Sequence, residues 1–265
     1  MARQATRAAS GFPPLATGLV ALSWITLLIW GASPYARYLY HGDWTTIGLG
    51  AALCAVVPGG AWLVPGLLYC GGWLLMSAAM MLPTALPLIR LFDRMTNERS
   101  DRVVLQGLLI AGYLLAWGGF GVIAHLLDQA LHAGLGGWVW LAAHPWVPGA
   151  VVLALAGAFQ FSALKYHCLD KCRTPLSFLT SHWHGPRPWR EAFGLGAAHG
   201  VYCVGCCWAL MLLMFVVGAG SLAWMLLLGL AMAVEKNHPW GRHLSAPLGG
   251  ALLVVAGLLI GRALV

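Results

Sequence analysis

The sequence predicts an all-α, polytopic transmembrane helical bundle of about seven spans, and three observations lead to that fold class. Of the 265 residues, 60% are hydrophobic and only 9% are charged, whereas soluble domains carry about 25% charged residues. The mean hydropathy is +0.78, and apolar runs recur along the chain. Because the basic residues lie between these runs, they are typical of topology signals, not of nucleic-acid contacts. We therefore expect one helical domain over 1–265, with a lipid bilayer as partner and no nucleic acid.

Seven apolar runs approach or exceed the roughly 20 residues that a spanning helix needs. They lie at 13–32, 61–89, 103–127, 146–166, 192–217, 221–235 and 245–264. The sixth run is the shortest of the seven. A further apolar run at 44–58 is also short and ends at Pro58, Gly59 and Gly60, so we expect an interfacial or re-entrant piece there and no span.

The distribution of charge predicts the orientation of these spans. If the N-terminus is cytoplasmic, the segments before spans one, three, five and seven face the inside, and they hold all of the 15 Lys and Arg residues except Arg37 and Arg262. Such a bias is typical of a bacterial inner, or cytoplasmic, membrane protein. Lys165 is then an interfacial anchor, and Glu235 with Lys236 forms an interfacial pair.

The fifth span carries a concentration of soft metal ligands. At about 100° per residue, His199, Cys203, Cys206 and Cys207 fall on one helix face. Thiolates select Cu(I), and thiolate with imidazole also suits Zn(II). A structural role for one buried cysteine is common, but three beside an intramembrane histidine favour a metal site. Glycines on the same helix, Gly200 and Gly205, predict the close approach of a neighbouring helix.

Two other segments add candidate ligands. His167, Cys168 and Cys172 lie at the inner end of the fourth span, with the two cysteines one helical turn apart. Met76 and Met80 of the second span could offer two thioethers to Cu(I), although core methionine is an equally good interpretation.

The remaining polar candidates lie on the outer side. His125, Asp128 and His132 follow helical spacing, while His41 and Asp43 come just after the first span. These could form a port for a harder metal, but exposed interfacial residues explain them better.

Motifs of the common enzyme classes are absent from the sequence. It contains no phosphate-binding glycine loop, no Gly-x-Ser-x-Gly and no His-Glu-x-x-His, so we predict a binding protein and no catalytic residues. One enzymatic alternative remains, a membrane thiol-disulfide oxidoreductase using the pairs Cys203/Cys206 and Cys168/Cys172. Another is an accessory subunit of a membrane complex, whose 14 tryptophans would serve subunit contacts.

Three segments carry a family resemblance. Residues 73–83, 168–179 and 200–211 resemble, in the same order, a bacterial family of predicted metal-binding integral membrane proteins, some of which are described as membrane copper chaperones. The resemblance implies copper handling, such as delivery to a copper-dependent oxidase. The hypothesis from the sequence is thus a membrane protein that binds Cu(I), with zinc as the other metal to consider.

Overall fold

A computed structural model describes residues 13–33, 63–135, 139–144, 146–217 and 221–263. Within these ranges the chain forms ten α-helices, one short 3-10 helix and no strand, which confirms the all-α class. The α-helices are α1 Pro14–Gly31, α2 Leu63–Met95, α3 Arg102–Leu135, α4 Val139–Ala143, α5 Trp146–Phe159, α6 Ala163–Arg173, α7 Pro175–His182, α8 Pro188–Val217, α9 Leu222–Asn237 and α10 Ser245–Ala263, and the 3-10 helix is Gly241–Leu244. The apolar run 44–58, His41 and Asp43 lie outside the described residues.

Five of the described helices are long and apolar enough to cross a membrane: α1, α2, α3, α8 and the segment Gly241–Ala263 that contains α10. A sixth span results if α5 and α6 are taken together, although they are bent by 63°. Helix α9 has 16 residues, fewer than the roughly 20 that a bilayer requires. The described helices therefore support five or six spans, and the predicted count of seven is not confirmed.

The region between α5 and α8 differs from the sequence prediction. The run 146–166 was expected as one span, but the chain breaks after Phe159 and restarts at Ala163. The Ser162 side chain accepts a hydrogen bond from the Lys165 N–H at 3.1 Å, which caps the new helix. Beyond the expected span, α6 continues to Arg173 and Pro175 begins the short helix α7.

Close backbone packing joins α3 to α8. A Cβ atom placed on Gly196 would overlap the carbonyl oxygen of Leu109, and one on Gly200 would lie 2.8 Å from the carbonyl oxygen of Tyr113. Leu109 lies against Gly196, and four residues later on each helix Tyr113 lies against Gly200, so the two helices run parallel. Small residues at such spacing allow helix backbones to approach closely, so the close approach predicted at Gly200 is confirmed.

A proline in α2 determines how α1 packs on it. Pro83 has no N–H, so the carbonyl of Ala79 lacks its helical donor. The indole of Trp24 on α1 donates to that carbonyl at 3.2 Å. The proline thus creates an acceptor for a neighbouring helix without interrupting α2.

Gly196→Ala tests the packing of α3 on α8. The added methyl group must push the two backbones apart, and overpacking of this kind costs about 1–3 kcal/mol. We expect a lower melting temperature in detergent, followed by circular dichroism. The matched control is Gly194→Ala on the same helix, where a new Cβ meets nothing within 4 Å; equal melting temperatures for the two variants would contradict the proposed fit.

Candidate metal centre

Four cysteine sulfurs meet between α8 and α6. Cys203, Cys206 and Cys207 are each about 1% exposed. The sulfurs of Cys206 and Cys207 are 3.3 Å apart, and the Cys172 sulfur of α6 lies 4.0 Å from that of Cys206. Cys206 also donates its S–H to the carbonyl of Cys203 at 3.2 Å. We call Cys172, Cys203, Cys206 and Cys207 the sulfur cluster.

Cys168 lies beside this cluster, because α8 has a glycine, Gly205, and so no side chain at that point. A Cβ on Gly205 would come within 2.6 Å of the Cys168 sulfur. The glycine therefore provides the space that the thiol occupies. This confirms the close approach expected at Gly205 and brings both cysteines of α6 against α8.

Two polar side chains from other helices contact the Cys203 sulfur, and a third, Thr84, contacts one of them. The Lys236 ammonium of α9 donates to the Cys203 sulfur at 2.8 Å and to the Thr84 hydroxyl of α2 at 3.2 Å. The Tyr113 hydroxyl of α3 lies 2.9 Å from the same sulfur and 3.0 Å from the carbonyl oxygen of Met81. These surroundings of Cys203 were not predicted from the sequence. Two signals could have indicated them: Tyr113 lies within one apolar run, and Lys236 directly follows a second apolar run.

Lys165 and Glu235 correct the prediction of interfacial charges. Lys165 is 0% exposed and Glu235 1%, and their charged groups are 2.8 Å apart. Lys165 also donates to Gln160, and the Ser245 hydroxyl donates to Glu235 at 2.7 Å. Glu235 and Lys236 are thus not a surface pair. Each is buried with a different partner, because adjacent residues of a helix point about 100° apart and do not face each other.

The two predicted histidines have different surroundings. His199 is 3% exposed, its Nδ1 has no hydrogen-bond partner among the described residues, and its ring lies near Tyr113 and Phe178. His167 is exposed, with its ring 6.2 Å from that of Tyr202. His199 therefore provides a buried ring nitrogen as a candidate metal ligand, whereas His167 is exposed on the outer face of α6.

The candidate methionines Met76 and Met80 lie in the core on α2. A Cβ on Gly229 of α9 would be 3.7 Å from Met80. Two side chains link α2 to Cys203. Lys236 donates to the Thr84 hydroxyl and to the Cys203 sulfur, and the Tyr113 hydroxyl contacts both the Met81 carbonyl oxygen and that sulfur. The methionines are thus buried on a helix that is connected to the cluster through Lys236 and Tyr113.

The outer candidates are only partly described. His125 is half-buried, and its ring lies 4.5 Å from that of Tyr69. Asp128 follows on the same face of α3, where its charge contributes to the environment of Tyr69. The side chain of His132 lies outside the described residues.

The sulfur cluster provides soft ligands, but they are not arranged as a complete coordination shell. Among the described residues, no three His, Cys, Asp or Glu side chains are arranged as a ready-made metal site. The cluster contains close thiol pairs instead, and thiolates are the ligands that Cu(I) prefers. Coordination of a metal ion by more than two of these side chains would require the sulfurs to move.

Substitutions of Lys165 and Glu235 test the buried ion pair. Lys165→Met leaves a buried carboxylate without its cation, which costs about 3–5 kcal/mol. We expect a large drop in the free energy of unfolding, and a smaller drop in the double variant Lys165→Met with Glu235→Met, measured in detergent. Arg242→Ala, which removes the exposed pair with Asp170, should cost less than about 1 kcal/mol. Equal losses for Lys165→Met and Arg242→Ala would refute the importance of the buried pair.

Comparison with known proteins identifies the family. A family model described as PpoB2, copper chaperone, matches residues 70–260, which is more than half of the chain, so the chain belongs to this family. The resemblance inferred from the three sequence segments is confirmed. No curated protein and no solved structure matches the chain.

Proposed function

We propose that this member of the copper chaperone family is an integral membrane protein that binds Cu(I) at the sulfur cluster and passes it to a copper-dependent enzyme. Membership of the family implies copper binding. The observation that supports these particular ligands is the approach of the buried Cys172 sulfur of α6 to those of Cys206 and Cys207 on α8, with the buried Cys203 one turn earlier on the same helix face. Copper is here the cargo of the protein, and no reaction is assigned to the chain.

The chemistry of the cluster favours Cu(I) over Zn(II). Structural zinc sites are closed tetrahedra with four nitrogen or sulfur ligands, and the described residues contain no such arrangement. Cu(I) is bound by soft thiolates and thioethers and needs fewer of them. Two neighbouring sulfurs, such as those of Cys206 and Cys207, 3.3 Å apart, supply such a pair of ligands.

The other candidate ligands have supporting roles in this proposal. Cys168 adjoins the cluster at Gly205 and can exchange the ion with it. His199 presents a buried nitrogen one helical turn before Cys203. Met76 and Met80 would assist from α2, and the exposed position of His167 suits a first contact with incoming metal.

We further propose a seven-span topology with a cytoplasmic N-terminus in a bacterial inner membrane. The parallel arrangement of α3 and α8 supports it, because both helices then begin on one side, where Trp189 donates to Asp101 at 3.2 Å. Arg94, Arg99 and Arg190 are exposed at this end, as expected of a cytoplasmic surface. Arg99 also holds the pKa of the Asp101 carboxyl below its usual value through a direct hydrogen bond.

The oxidoreductase alternative has one observation in its favour. The sulfurs of Cys172 and Cys206 are close enough, at 4.0 Å, for a disulfide to form after a small shift. Thiol-disulfide exchange, however, requires access of an attacking thiol, and these two side chains are 9% and 1% exposed. Burial thus favours metal binding.

The combined substitution Cys203→Ser and Cys206→Ser tests the ligands. We expect at least about a tenfold loss of Cu(I) affinity, equivalent to about 1.4 kcal/mol, because hydroxyls are poor ligands for a soft ion. Affinity is measured anaerobically by competition with a chromophoric Cu(I) chelator. Cys70→Ser, a half-buried cysteine of α2 outside the cluster, is the matched control, and unchanged affinity in the double variant would refute the proposed ligands.

The orientation is tested with a reporter cysteine between α2 and α3. Ser100 is exposed, and Ser100→Cys in a chain whose own cysteines are replaced by serine gives one accessible thiol. We expect a membrane-impermeant maleimide to label it only after the cells are permeabilised. Labelling of intact cells would reverse the proposed orientation.

A further inference from the structure

We infer that Lys236 is a specificity-determining residue, whose fixed positive charge makes the sulfur cluster favour a monovalent over a divalent soft metal ion. This inference rests on the proposed function, because it concerns the same sulfurs. It goes beyond that function by assigning a role to a side chain that donates no metal ligand.

Among the described residues, the Lys236 ammonium contacts one group that can carry a negative charge, the Cys203 sulfur. Lys236 is 5% exposed, and its ammonium group contacts the Cys203 sulfur at 2.8 Å and the neutral Thr84 hydroxyl at 3.2 Å. In the described part of the chain no carboxylate forms an ion pair with it, since the adjacent Glu235 pairs with Lys165. A buried cation needs an anion nearby, and the group in contact with it that can become one is the Cys203 thiol.

The position of this ammonium is fixed from several sides. Glu235, the preceding residue, is held by Lys165 and by the Ser245 hydroxyl. The guanidinium of Arg173 donates to the backbone carbonyl of Glu235. With the end of α9 tied in this way, the lysine charge remains beside the cluster while the sulfurs move to accept a metal.

The charge balance then distinguishes the two classes of ion. One monovalent ion, two thiolates and the ammonium sum to zero. One divalent ion with the same two thiolates and the ammonium leaves one positive charge in a low dielectric, which is costly. Neutrality with a divalent ion requires a third thiolate, which is itself costly to create in a buried site. Without the lysine charge, two thiolates neutralise a divalent ion and leave one negative charge with a monovalent ion, so the preference for the monovalent ion falls.

Lys236→Gln tests the inference through a ratio of two affinities in the purified full-length protein. Cu(I) and Zn(II) dissociation constants are measured anaerobically with a chromophoric chelator for each metal. We expect the preference for Cu(I) over Zn(II) to fall by at least about tenfold, or about 1.4 kcal/mol. Lys236→Arg, which keeps the charge, should retain most of the preference.

Tyr113→Phe is the matched control, because its hydroxyl contacts the same sulfur at 2.9 Å but carries no charge. It should change both affinities by similar factors and leave the ratio within about threefold. If Lys236→Gln weakens both metals equally, or leaves the ratio unchanged, Lys236 has a packing role and the inference is overturned.

A second variant covers the case in which Lys236→Gln does not fold, as judged by gel filtration in detergent. Lys236→Leu removes the charge and supplies no metal ligand; a fall in the ratio supports the inference, and no fall overturns it. The two proposals fail differently. If the wild-type protein binds Cu(I) no more tightly than the Cys203→Ser and Cys206→Ser variant, both the proposed ligands and this inference are refuted. If the wild-type protein binds Cu(I) tightly but the ratio of affinities is unchanged in Lys236→Gln, only the inference is refuted.

Discussion

The ion pair between Lys165 and Glu235 is the interaction on which the arrangement of the site depends. Both side chains are almost fully buried and 2.8 Å apart, so each would leave an uncompensated charge in a low dielectric without the other. Gln160 and Ser245 satisfy further hydrogen-bonding positions. The pair connects α6 to α9, and these two helices carry the Cys172 thiol and the Lys236 ammonium, respectively. The ion pair thus joins the two helices whose Cys172 and Lys236 side chains reach the cysteines of α8.

A second constraint, the close packing of α3 on α8, determines which side chain of α3 reaches the cysteines. Gly196 and Gly200 allow the α8 backbone to contact α3 directly, and no side chain separates the two helices there. This close contact brings the Tyr113 hydroxyl within 2.9 Å of the Cys203 sulfur. The cluster is thus surrounded by polar groups from α2, α3 and α9, although it lies near the middle of an apolar helix. Small residues that let α3 approach, together with the buried charges of α9, produce a polar pocket inside a hydrophobic bundle.

The sequence predicted features that depend on local pattern. Apolar runs gave the helices, helical periodicity put Cys203, Cys206 and Cys207 on one buried face, and the glycines gave the close approach of neighbours. The charged residues were harder to predict, because their partners lie far away in the chain: Lys165 and Glu235 are 70 residues apart. The rule that places charges at the membrane surface therefore assigned both of them wrongly, although a charge beside an apolar run also predicts burial when a partner exists.

The same limit explains why the break between α5 and α6 was missed. By hydropathy, residues 146–166 are continuous, and only the cap formed by Ser162 marks a new helix. The bend of 63° is nevertheless what turns Cys168 and Cys172 toward α8, since a straight helix would carry them along the axis of α5. In the proposed copper role this geometry is useful, because it makes a cluster whose sulfurs belong to two differently directed helices. A carrier must hold an ion and also give it up, and a site assembled from pairs of thiols permits transfer from one pair to the next, whereas a closed shell of four ligands would retain its metal.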